Sequence, residues 1–172
     1  MRHDYSGDWR DHYDARITSA EGAADLVESG DHIWIPPGHG APRILEALVA
    51  RTGELRDVEI RGLGVPDGGL FTPEASESFH YQDQFGNAFS RGPLESKVID
   101  YHPYWLVGQH QALDAGREEG WALDNVLITT SEPDGAGFVS VGCSVWDSIT
   151  ASRRAKRVIA AVNPHTKHTF GD

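Results

Sequence analysis

Short apolar runs alternate along this chain with stretches whose apolar residues recur at helical spacing. HIWI (His32 to Ile35) is followed by PRILEALVAR (Pro42 to Arg51), which places Ile44, Leu45 and Leu48 on one face, and then by VEIR (Val58 to Arg61). Further on, the run Leu123 to Thr129 precedes a helical stretch from about Val145 to Lys156 and a last apolar run, Val158 to Val162, which reads as a buried strand. Strands apolar enough to be covered on both faces, separated by helices, predict an α/β domain: an open, mostly parallel sheet with flanking helices. Thr18-Ser19-Ala20-Glu21 has the spacing of a capping box for one more helix, with Ala23, Ala24, Leu26 and Val27 as its apolar face and Ser29-Gly30-Asp31 as its stop.

Two regions interrupt the alternation. Residues 1–15 are polar and aromatic without period and read as an arm packed on something else, leaving 16–172 as the domain. Gly62 to Lys97 is rich in Gly, Pro, Phe, Gln and Asn and reads as a long irregular excursion, of the kind that is often functional. Val98 to Tyr101 and a helix over about Tyr104 to Arg117 resume the pattern, and Phe138 to Val141 reads as a short strand.

With 172 residues the chain has the length of one domain that buries roughly 70% of its unfolded surface. Its single cysteine, Cys143, rules out an internal disulfide and reads as a buried small apolar residue. No signal-peptide pattern opens the chain and no apolar run nears the ~20 residues of a membrane span, so a cytoplasmic protein without membrane association is expected. Fifteen Lys and Arg against 26 Asp and Glu give a net charge of −11, which opposes binding to nucleic acid or anionic lipid. An anion bound here needs a local receptor.

Ligands of such sheets sit beyond the carboxyl ends of the strands, and two glycine-bearing turns lie there. The first is IPPGHGAP, in which Gly38 and Gly40 flank His39 between strand and helix. Glycine admits positive φ and close approach, and a following helix offers unpaired N–H groups, so this turn suits a carboxylate, phosphate or thioester oxygen with His39 as a further donor. The plainer alternative is a strand-to-helix turn in which the glycines serve geometry alone. The spacing matches neither nucleotide-loop fingerprint. The second turn runs from Ser131 through Pro133, Asp134 and Gly137 to Ser140 and Gly142, with Ser144 read as the cap of the next helix; an ordinary hairpin is the plainer alternative.

SAEGAADLVESGDHIWI, the Gly-rich turn with its LEAL helix, SEPDGAGFVSVGCSVW and KRVIAAVNPHTKHTFGD together resemble the amino-terminal half of the acetyl-CoA hydrolase/transferase family, which includes acetate, butyrate and 4-hydroxybutyrate CoA-transferases. Relatives read SPPDxxGYxSLGxSV and VIAxVNPxxPxxxGD over the last two stretches, and Phe85 with Arg91 keep an FxxxxxR spacing. The resemblance runs from about Thr18 to Asp172 and is strongest from Ser131 onward. It implies a reaction in which a glutamate carboxylate attacks an acyl-CoA thioester, giving an anhydride and then a glutamyl-CoA thioester before CoA passes to an acceptor carboxylate. Acyl-CoA is then a substrate and no cofactor is bound permanently. Backbone donors of the two turns would meet the oxyanions.

In the family the nucleophilic glutamate belongs to a second half, and none of Glu46, Glu132 and Asp134 occupies its motif, so no catalytic residue is expected in this chain. Met1, and an end at Gly171-Asp172 where relatives continue, favour a separately encoded subunit whose partner is a second CoA-transferase-like chain bearing the glutamate, with a cleaved or truncated chain as the alternative. The substrate-binding set implied here is Gly38, His39, Gly40, Phe85, Arg91, Ser131, Pro133, Asp134, Gly137, Ser140 and Gly142. Arg91 would pair with a carboxylate, and replacement of His39 is expected to reduce turnover while leaving the fold intact. Ala41-Pro42 departs from the relatives' Glu-Pro, so the acyl group does not carry over.

Water as acceptor would make a hydrolase, and a partner without glutamate a decarboxylase or hydratase. A non-catalytic acyl-CoA or carboxylate binding or assembly protein is the alternative from another class. His165-x-x-His168 lacks a third metal ligand at recognisable spacing, so no metal is expected. Arg153 to Arg157 reads as a solvated helix end, with CoA phosphates as the alternative partner. Tyr101, Tyr104 and Trp105 read as core, or as the border of a cleft or subunit contact.

Overall fold

The computed structural model describes residues 8–65, 67–103 and 122–169. In chain order the elements are α1 (Trp9–Asp14), α2 (Ala20–Ala24), β1 (His32–Ile35), α3 (Pro42–Val49), β2 (Val58–Gly62), α4 (Pro73–Ser76), β3 (Phe79–Asp83), α5 (Arg91–Glu95), β4 (Asp100–Tyr101), β5 (Asn125–Thr130), α6 (Ser148–Arg154) and β6 (Arg157–Val162). The strands form one sheet in the order β4-β3-β2-β1-β5-β6. Every neighbouring pair is parallel.

That order contains one reversal. From β1 the sheet grows outward through β2, β3 and β4; the chain then returns to lay β5 on the other side of β1, with Ile33 opposite Asn125 and Trp34 opposite Val126. The carboxyl ends of β1 and β5 therefore flank the topological switch point, where open α/β sheets leave a crevice for ligands.

Strand alternation sorts the core onto two faces. Ile33, Ile35, Val58, Ile60, Phe79, Tyr81, Leu127 and Ile159 point to one face and pack with Ala23, Ala24 and Val27 of the α2 region and Ile44, Leu45 and Leu48 of α3. Trp34, Val126 and Ile128 point to the other and pack with Leu123 and Ala151 of α6. Burying the three α3 side chains contributes about 1.5–3 kcal/mol each. Ser19 caps α2 by accepting from the Gly22 N–H at 3.1 Å. Arg51, just past α3, donates to the carbonyls of Ala24 and Val27 and so ties the two helices together.

Several expectations are corrected. The excursion 62–97 is not irregular throughout: it holds α4, β3 and α5, and β3 is an interior strand of the sheet. Its sequence FHYQD alternates buried and exposed positions; that short alternation is obscured by the Gly and Pro around it. The arm contains a helix, α1, capped by Asp8, whose carboxylate accepts from the Arg10 N–H. Phe138 to Val141 forms no strand, because Ser131 and Asp134 engage its backbone as a loop. The helix after the second turn starts at Ser148 rather than Val145, since Gly142 adopts φ +63° and the following residues are used in turns. Leu26 and Cys143 are exposed, and β6 is an edge strand whose Val158 and Val162 are 44% and 41% exposed. The helix expected over 104–117, with Tyr104 and Trp105, lies outside the described residues. Among the described residues no helix is long and apolar enough to cross a membrane.

Candidate functional site

The two glycine-bearing turns sit side by side at the switch point, one at the end of β1 and the other at the end of β5. Pro36 and Pro37 stiffen the exit from β1, and the His39 N–H closes a turn onto the Pro36 carbonyl at 3.1 Å. Gly38 has φ +81°, and a Cβ there would lie 2.2 Å from Ser144 Oγ. Only glycine meets both conditions. Ala41, the N-cap of α3, adopts the left-handed region at φ 37° and ψ 53°, provides no side-chain cap and leads into Pro42. A non-glycine residue there costs roughly 1–2 kcal/mol, a local strain held by the packing on either side.

His39 is buried and is spent within the protein. Its Nδ1 accepts the backbone N–H of Thr129 at 2.8 Å, while Nε2 lies 2.9 Å from Ser148 Oγ and 3.1 Å from the Ser144 carbonyl. A backbone amide can only donate, so Nδ1 carries no proton and Nε2 bears the hydrogen. Ser148 Oγ donates onward to the Ser144 carbonyl at 2.7 Å. Desolvation by burial holds the His39 pKa below the usual imidazole value, with the Ser144 carbonyl pulling the other way. The ring therefore fastens β5, the second turn and the start of α6 to the first turn; it is not a free donor facing solvent.

The second turn is knitted from its own side chains. The Asp134 carboxylate accepts from the N–H groups of Ala136 (2.8 Å) and Phe138 (2.9 Å), and these bonds hold its pKa below the ordinary carboxyl value, helped by His168. Ser131 and Ser140 are cross-linked: the Ser131 N–H donates to the Ser140 carbonyl, and the Ser140 N–H donates to Ser131 Oγ. Ser140 Oγ accepts from the amides of Gly142 and Thr169, which brings the end of the chain back over the turn. Gly142 abuts that same tail, since a Cβ would meet Thr166 Cγ2 at 3.0 Å.

On its outer side the turn receives α1. Gly137 has φ +87°, and a Cβ on it would lie 2.7 Å from the Trp9 ring. Arg10 stacks 4.5 Å above that ring and Tyr13 meets it edge-on. Beside them is a groove of about 350 Å³ lined by Trp9, Arg10, Tyr13, Asp14, Glu132 and Pro133.

Gly38, His39, Gly40, Ser131, Pro133, Asp134, Gly137, Ser140 and Gly142 thus belong to one locality. Phe85 and Arg91 do not join it. They follow β3, two strand positions from β1 and so about 10 Å away at ordinary strand spacing; both are exposed. Sequence reasoning missed Thr129, Ser148, Trp9 and Thr169 as parts of this assembly. Only the tail carried a signal, in the VNPHTKHTFGD stretch. Among the described residues no group of three or more His, Cys, Asp or Glu is placed to hold a metal ion.

Residues 1–171 match the model of the acetyl-CoA hydrolase/transferase N-terminal domain. The chain belongs to that family. It is 28% identical over 167 residues to the 4-hydroxybutyrate coenzyme A transferase of Clostridium kluyveri, spanning 96% of this chain and 38% of that protein. It is 27% identical over 161 residues to the succinyl-CoA:cyclohexane-1-carboxylate CoA transferase of Geobacter metallireducens, 93% and 36% respectively. The fold superimposes on RipA from Yersinia pestis with a TM-score of 0.81 at 26% identity, covering 93% of this chain and 39% of RipA. The chain therefore spans well under half the length of these relatives.

Proposed function

We propose that this chain supplies the acyl-pocket wall of a CoA-transferase that moves CoA between an acyl-CoA and a small carboxylic acid. The attacking glutamate, and the glutamyl-CoA intermediate, belong to a second CoA-transferase-like chain. The observation that carries this reading is the joining of both turns at the switch point: Gly38 against Ser144, and His39 bridging Thr129 to Ser148. A wall held rigid in this way costs little reorganisation when charge develops against it. His39 acts in this reading as a positioning residue, since both ring nitrogens already have partners. Arg91 and Phe85, standing apart on the β3 loop, are suited to the edge of the cleft rather than to the reacting atoms.

The test is reconstitution with the partner chain. Mixed with acetyl-CoA and a carboxylate acceptor, the pair should exchange CoA, and a hydroxylamine-sensitive CoA adduct should be recovered on the partner alone. Turnover by this chain in isolation, or an adduct on it, would sink the proposal.

A further inference from the structure

We infer that the loop after β3 is a preformed docking knob for the second chain, presenting Phe85 and Phe89 to it; the inference rests on the two-chain reading above. The two rings are 59% and 73% exposed, yet the loop that carries them is tightly built. Asp83, fully buried at the end of β3, accepts from the Gly86 N–H and from Ser90 Oγ. Asn87 accepts from the amides of Phe89 and Ser90, and Ser90 Oγ accepts the Asn87 N–H in return. Gly86 takes φ +58°, and the Arg91 N–H reaches back to the Asn87 carbonyl. A slack loop bearing two phenylalanines would fold them inward. This one is held open by its own polar atoms, and aromatic groups fixed in advance lose little entropy on being covered.

Position identifies the occupant. All strands run parallel, so the β3 loop and the β5 turn emerge on one side of the sheet, and the latter adds Phe138 (70% exposed) and Trp146 (62%). From β3 to β5 is three strand spacings, about 15 Å. A body that covers both must be protein-sized: an ordinary interface buries about 800 Å² on each partner, a patch wide enough for the purpose. The relatives supply such a body, because the chain accounts for only 38% of the Clostridium kluyveri enzyme and 39% of RipA. On the two-chain reading the partner is the segment that corresponds to the relatives' remaining length, with apolar sockets for the two rings.

The experiment titrates purified chain with the purified polypeptide from its own source that matches that remaining length, by calorimetry, with light scattering for stoichiometry. The Phe85→Asp/Phe89→Asp double variant should weaken the complex by at least about a hundredfold, as loss of central aromatic anchors does. Its circular dichroism and melting temperature should stay as in the parent, and Arg56→Glu, at the opposite end of the sheet, should bind normally. A complex that forms and exchanges CoA but ignores the double variant overturns the docking inference alone. Absence of any complex overturns the docking inference, and with exchange by this chain alone it overturns the two-chain reading as well. A self-dimer dissolved by the variant, or a variant that loses acyl-CoA affinity and keeps the partner, also refutes the inference.

Discussion

A Cβ placed on Gly38 would come within 2.2 Å of Ser144 Oγ, so the turns after β1 and β5 touch at a point where only a hydrogen atom fits. The residues are 106 positions apart in sequence and belong to the two halves of the sheet that meet at the switch point.

Gly38→Ala should therefore be damaging for two separable reasons. The left-handed backbone adds roughly 1–2 kcal/mol, and overpacking against Ser144 adds about 1–3 kcal/mol. Ser144→Ala removes the oxygen but leaves the backbone term, so the double variant should recover more than about 0.5 kcal/mol relative to additivity. Urea unfolding of the four proteins measures this; strict additivity would show that the contact carries no weight.

His39→Ala should unfold more readily, by about 2–4 kcal/mol, because it strands the Thr129 amide and removes the partner of Ser148 inside the protein. This reverses the expectation from sequence that the residue is dispensable for folding. Unfolding midpoints equal to the parent's would restore the solvent-facing donor.

Burial lowers the His39 pKa from its ordinary 6.5, so above 6.5 the ring is neutral in both states and its contribution is fully present. As pH falls below 6.5 the unfolded chain takes up the proton first, and stability declines until the folded value is passed. The parent should lose stability across that window more steeply than His39→Gln, whose side chain does not titrate. Identical slopes in the two proteins would contradict the assignment.

Gly137→Ala should expel Trp9 from the second turn. The indole ring lies where the new methyl group would be, at 2.7 Å, and the backbone there is left-handed. Cleavage by trypsin after Arg16 should accelerate and Trp9 emission should shift to the red. In a Trp9→Ala background the same change should lose only the backbone part, roughly 1 kcal/mol; an equal loss in both backgrounds would dissociate α1 from the turn.

Asp134→Ala should loosen the turn without affecting the sheet, because the carboxylate receives two amides of its own loop. Loss of that cap is expected to speed hydrogen exchange at Ala136 and Phe138. Unchanged exchange there would mean that the Ser131 and Ser140 cross-links suffice.

How much of this was legible in the sequence depends on the range of the forces involved. β1, α3, β2 and β5 follow from local runs such as HIWI and ILEAL, whose burial reflects their own periodicity. The nearness of the two turns was anticipated only through the parallel-sheet rule that collects strand ends on one side. Residue pairings were not legible: nothing local reveals that His39 meets Thr129 and Ser148, or that Gly137 must be bare because Trp9 rests on it. β3 was missed because FHYQD is brief and mixes charged with aromatic residues, and Cys143 was misplaced because a small apolar type says little about a residue in a turn. The family resemblance marked the second turn correctly as a unit, and its physical cause, the Ser131, Asp134 and Ser140 bonding, became visible only in three dimensions.

One margin of the sheet has a practical consequence. Along β6, Val158 and Val162 look outward beside main-chain groups that no further strand engages among the described residues. Such a border is adhesive, and concentrated stocks of the lone polypeptide should be prone to clumping through this flank. A lysine introduced at Val158 or Val162 is the simplest way to keep the material dispersed for the measurements above.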